Sequence, residues 1–118
     1  MKEEPPDLRQ RTKQYALRNL KLYGALPKSI EAQVIGSKLL RSGTSAGAHY
    51  REAQRSKSNA DFVSKIEGGL QELDETGYWL ELLEGAGILP VERLAPLSRE
   101  TDELSAIFVS IVKKIKGR

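Results

Sequence analysis

The sequence predicts an all-α protein: an antiparallel up-down four-helix bundle assembling into a ring-shaped homo-oligomer. Three observations lead there. Prolines occur only at positions 5, 6, 27, 90 and 96, so residues 28–89 lack the residue that breaks helix interiors. Apolar residues recur at three- and four-residue steps, with no strand-like alternation. The second of the helical blocks so delimited is apolar on two sides, more than a four-helix monomer can enclose.

The first helix is expected over about 7–24, with Asp7 as N-cap and Gly24 just past the end. Leu8, Tyr15 and Leu22 lie seven apart, with Ala16, Leu20 and Tyr23 beside them. The second, about 28–57, follows Pro27. At about 100° per residue, Ile35, Leu39, Ala46, Tyr50 and Ala53 form one stripe, flanked by Gly43 and Gly47. Ile30, Val34 and Ala48 lie nearly opposite, among Ser37, Arg41, Thr44 and Ser45.

The third helix, about 58–87, opens on Ser58 as cap, with Asp61 completing a capping box near the positive helix end. Phe62, Ile66, Gly69, Leu70, Leu73, Gly77, Leu80 and Leu83 make its stripe, while Tyr78, Trp79 and Leu82 fall away from it. The fourth, about 91–116, contains Pro96, which predicts a short first turn or a kink. Leu97, Leu104, Phe108, Ile111 and Ile115 then recur regularly, and Lys113, Lys114 and Lys116 suit its C-terminus. One domain spans 1–118.

"SGTSAGAHYREA", residues 42–53, is too rich in small residues for an ordinary helix. Each helical glycine costs up to about 1 kcal/mol against alanine, so Gly36, Gly43 and Gly47 must be offset by close packing. A ligand loop fits less well, because the glycine–lysine signature of a phosphate cradle is missing and no strand precedes the stretch. The stretch therefore reads as a contact seam. Gly43, Ala46, Gly47 and Tyr50, with Tyr78 and Trp79, are the expected oligomer interface, and Ser42, Thr44 and Ser45 bond back to the preceding turn or reach across it.

With 39% apolar and 30% charged residues, the composition is that of an ordinary globular protein. The absence of cysteine excludes disulfides, thiolate metal sites and cysteine nucleophiles. The start, MKEEPPDLRQ, lacks the apolar core of a signal peptide, and no apolar run approaches the ~20 residues of a membrane span. A cytoplasmic protein without membrane contact is expected.

The net charge of +3 conceals a segregation. Residues 8–57 carry 11 Lys/Arg against 2 Asp/Glu, and residues 58–103 carry 3 against 11. Such halves either attract polyanions or neutralise one another across the bundle or between subunits. The candidate nucleic-acid-binding surface is Arg11, Arg18 and Lys21 on the first helix, with Lys38, Arg41, Arg51 and Arg55 on a common side of the second. Guanidinium groups match phosphates through paired donors.

Catalysis finds little support. His49 is the sole histidine, so a histidine-pair metal site within one chain is excluded. Glu72, Asp74 and Glu75 lack the Glu-x-x-His companions of di-iron bundles, and Ser45 lacks a His–Asp partner motif. Glu52 and Glu75 are read as salt-bridge partners of Arg41 or Arg51, and Tyr78 and Trp79 as packing rather than base-stacking residues. No catalytic residue, cofactor, metal or small-molecule substrate is expected.

The stretch LLRSGTSAGAHYREAQRSKSNADFVSKIEGGLQELDETGYWLELL resembles the four-helix-bundle family, also called large-subunit ribosomal RNA intervening-sequence proteins. The matching residues are Arg41, Ser42, Thr44, Ser45, Ala48, Tyr50, Glu52 and Ala53; then Ser58, Asp61 and Phe62; then Glu72, Glu75, Thr76, Tyr78, Trp79 and Leu80. His49 stands where the family has asparagine, Ala46 where it has isoleucine, and Gln71 where lysine is frequent. The resemblance implies an up-down bundle, a homopentameric barrel and no catalysis. A related branch, the accessory variability determinants of diversity-generating retroelements, implies RNA and a reverse transcriptase as partners. The expected function is a non-enzymatic assembly module that engages RNA or an RNA–protein partner. The alternative is a protein-only scaffold whose charge halves dock subunits.

Overall fold

The computed structural model describes residues 7–117, so the signal-peptide reading of the first residues falls mostly outside it. Four helices follow one another: α1 (Leu8–Gly24), α2 (Ile30–Gln54), α3 (Asn59–Gly85) and α4 (Val91–Lys116). Their starts are local chemistry. The side chains of Asp7, Ser29 and Ser58 accept hydrogen bonds from the backbone N–H groups of Gln10, Ala32 and Asp61. The second helix therefore starts at Ile30, later than expected, because Ser29 serves as its cap.

The end of α3 is also encoded locally. Gly87 takes φ +68°, which a side chain would oppose. Its N–H bonds to Glu84 O at 3.0 Å, and that of Ile88 to Leu83 O at 3.0 Å, the two bonds of a Schellman motif. Pro96 behaves differently from expectation: α4 is one continuous helix through it. Pro96 and Glu92, whose carbonyl loses its donor there, are both exposed, so water can take the missing proton's place.

Short loops make α1–α2, α2–α3 and α3–α4 antiparallel neighbours, and α4 returns to α1 in a looser contact. Tyr15, Leu39, Ala46, Ile66, Leu73, Leu80, Leu83, Leu104 and Phe108 are buried at the centre, largely the stripes read from periodicity. A layer of hydroxyls crosses this core, one from each helix. The Thr101 hydroxyl donates to Leu97 O, so the 2.6 Å contact is donated by Tyr15. Likewise Thr76 donates to Glu72 O, and Ser42 donates to Thr76 at 2.7 Å. Burial pushes the Tyr15 hydroxyl above its ordinary pKa. A one-turn slip of any helix would strand these groups, so the layer fixes register.

The small-residue seam exists, but it lies inside one chain. A Cβ on Gly43 would collide with the side chain of buried Asn19, one on Gly47 would sit 3.0 Å from Thr12 Oγ1, and one on Gly36 would meet Leu26 and Tyr23. Ala46 has no exposure at all. The assignment of Gly43, Ala46 and Gly47 to a subunit interface is therefore corrected: α1 of the same chain, with the core, occupies that space. Tyr50 likewise turns inward, its ring 6.1 Å from that of Phe108.

Candidate nucleic-acid interface

The two basic helices, α1 and α2, are sequence neighbours and pack side by side. Their outer groove, a pocket of about 390 Å³, is floored by Thr12, Ala16, Thr44, Gly47 and Ala48 and edged by Lys13 and Arg51. The small side chains that let α1 and α2 approach also keep this floor shallow. Neither Lys13 nor Arg51 is in an ion pair among the described residues. Arg55 is exposed just past the end of α2, and Arg9 reaches across to Gln54 Oε1 at 2.9 Å, so both stand at the same end of the groove.

The seven predicted cations do not form one surface. Arg11 clamps α1 to α4: its Nε and Nη2 donate to Glu100 at 2.7 and 2.9 Å, and Nη2 also donates to Glu103 at 2.7 Å. Donating to the Glu100 carboxylate pushes Arg11 further above its ordinary range, and Arg11 in turn holds the Glu100 carboxyl below the usual carboxylate range. Arg11 is thus consumed by structure.

Arg41 ties α2 to α3 through Glu75 at 3.0 Å and Glu72 at 3.5 Å. Lys38 places its ammonium 5.5 Å from the Trp79 ring centre, a cation–π contact on that same side. Arg51 instead faces α1, so the expectation of a common side for Lys38, Arg41, Arg51 and Arg55 is corrected. Thirteen steps of about 100° leave residue 51 about 140° around the axis from residue 38. Arg18 and Lys21 line a different groove, between α1 and α4. Arg9, Lys13 and Arg93 were missed; Lys13 was legible as a cation on α1's outward side.

Of the aromatic candidates, Tyr78 stays at the surface and Trp79 is half-buried against the core. Tyr78 is 52% exposed, with its ring 5.1 Å from Trp79 in a tilted arrangement, and Ile30 (82%) and Val34 (52%) are exposed on α2. Trp79 Nε1 is buried without a hydrogen-bond partner among the described residues. His49 packs against Gly68, its Nε2 3.6 Å from Glu72 and its Nδ1 unpartnered among the described residues. Ser45 spends its proton on Arg41 O at 2.7 Å and Thr44 on Leu40 O at 2.8 Å. Among the described residues no group of three His, Cys, Asp or Glu side chains could hold a metal, and no helix is long and apolar enough to cross a membrane.

Residues 6–110 match the family described as 23S rRNA-intervening sequence protein. A crystal structure of a protein of unknown function from the S23 ribosomal protein family of Bacteroides thetaiotaomicron is 35% identical. It covers 90% of this chain and 98% of its own, with a TM-score of 0.84. No curated protein matches.

Proposed function

Since this chain belongs to the 23S rRNA-intervening sequence protein family, we propose that it is a non-enzymatic, homo-oligomeric binding module that engages RNA through the α1–α2 flank. The observation that carries this reading is the groove edged by Lys13 and Arg51, two cations without an ion pair among the described residues, over a floor of small side chains. A phosphate backbone needs that combination: charge at both rims and no bulk between them. No exposed aromatic lines the groove, so contacts there are to phosphate and sugar, independent of base identity. Binding is then salt-dependent and tolerant of sequence.

Self-association is part of the proposal, with a pentameric ring as the first choice because the family resemblance implies one. Ile30, Val34 and Tyr78 are large apolar side chains in water, and they flank the Lys38–Trp79 pair on the outer α2–α3 side. This strip, rather than the glycine seam, is the surface that a neighbouring copy would cover. Repetition around a closed ring would add weak phosphate contacts through multivalency.

Fluorescence anisotropy with a structured RNA tests the proposal. Binding at low salt that weakens steeply as salt rises is expected; no binding at low salt would exclude the RNA reading. The exposed apolar strip favours a second reading, a protein-only scaffold. An oligomer by light scattering that has no RNA affinity would establish that one.

A further inference from the structure

The α1–α4 groove holds a second cationic feature, separate from the α1–α2 flank. The Arg11 clamp closes one part of this groove. Toward the C-terminal end of α1 the helices leave a pocket of about 310 Å³, lined by Arg18, Lys21, Leu22, Arg93, Pro96 and Leu97. Arg18 and Lys21 are one turn apart on α1, and Arg93 and Pro96 are one turn apart on α4, so both helices aim their basic groups into one space.

None of the three cations is in an ion pair among the described residues. Glu100, further along the groove, directs both carboxylate oxygens at Arg11. Glu92 precedes Arg93 but makes no ion pair with it. Three like charges gathered here, with Glu100 acting at a distance on Arg18 alone, repel one another, and an anion seated among them relieves that repulsion.

We propose that this pocket binds the terminal phosphate monoester of a nucleotide. A monoester is nearly dianionic at neutral pH, whereas an internal phosphodiester carries one charge, so three convergent cations favour the chain end over the backbone. Two guanidinium groups supply paired donors to its oxygens. Leu22, Pro96 and Leu97 give an apolar wall on which the sugar and base can lie. A 5′-phosphorylated RNA end and a free mononucleotide share this chemistry, and the RNA-end arm rests on the function proposed above.

Isothermal titration of the full chain distinguishes these sources, using one short RNA in 5′-phosphate and 5′-hydroxyl forms and, separately, adenosine monophosphate. The phosphorylated RNA is expected to bind about tenfold tighter than its hydroxyl form, about 1.4 kcal/mol. R93Q, and the pair R18Q/K21Q, are expected to erase that difference while leaving the hydroxyl form unaffected. R51Q, in the other groove, should weaken both forms equally. Heat with adenosine monophosphate but none with either RNA would keep the pocket, assign it to free nucleotides and exclude the RNA function. Equal affinity for both RNA forms with no nucleotide heat would overturn the pocket while leaving RNA binding intact. Backbone amide shifts of Leu22 and Leu97 on adding the nucleotide give a second readout that does not depend on the variants.

Discussion

Replacing Lys13 and Arg51 together by glutamine tests the α1–α2 groove most directly. Both side chains are exposed at the rim and make no ion pair among the described residues, so the fold should be unaffected. Each phosphate contact contributes about 0.9 to the slope of log K against log salt on a duplex, and about 0.7 on a single strand. Loss of two contacts should flatten the slope by about 1.4 to 1.8. Raising salt from about 50 to about 200 mM should therefore narrow the gap between parent and variant by about tenfold. Anisotropy titrations across that range measure it, with circular dichroism confirming equal helicity. A variant with the parent's slope, or a gap constant at all salt concentrations, would refute placement of phosphates in this groove.

Three other expectations concern the bundle itself. Gly43→Ala should destabilise by about 1–3 kcal/mol from overpacking against Asn19, less up to about 1 kcal/mol of gained helix propensity. Thermal unfolding measures this, and adding Asn19→Ala should recover part of the loss; strict additivity would show that the two positions do not compete for space. Arg11→Gln should cost about 1–3 kcal/mol by leaving the largely buried Glu100 carboxylate without its charged donor. Because the folded Glu100 pKa lies below the unfolded one, this contribution is present above the ordinary carboxylate range and is lost as pH falls through the lower folded value. Urea midpoints of parent and variant should therefore converge in acid, and a gap that stays constant there would disprove the linkage. Finally, Ile30→Asp combined with Tyr78→Ser should reduce the mass seen by light scattering while helicity is kept, whereas an unchanged mass would exclude the α2–α3 strip as the subunit contact.

A Gly47→Leu change shows where sequence reasoning stops. Read from the sequence, it would disrupt contact between subunits. In the folded chain it drives a side chain into Thr12 of α1, so it should unfold the bundle rather than dissociate it. The seam was legible because three glycines in a helix require a close neighbour. The identity of that neighbour was not, since helical periodicity fixes a direction about one axis and carries no label for what lies there.

The same division runs through the charged residues. Glu75 was legible as a partner of Arg41, because both lie in motifs on adjacent antiparallel helices. Glu100 was not legible as the partner of Arg11, 89 residues away, since that pairing depends on how α4 closes against α1.

By itself the sequence determined four helices, their caps at Asp7 and Ser58, the buried stripes and the excess of cations on the first two. Each of these is set by residues within a few turns of one another along the chain. Tertiary structure alone decided which cations are held in ion pairs, that the glycines serve α1, and that Arg18, Lys21 and Arg93 meet in one pocket. Those outcomes depend on relative helix orientation, which is set by packing the whole core and the hydroxyl layer at once.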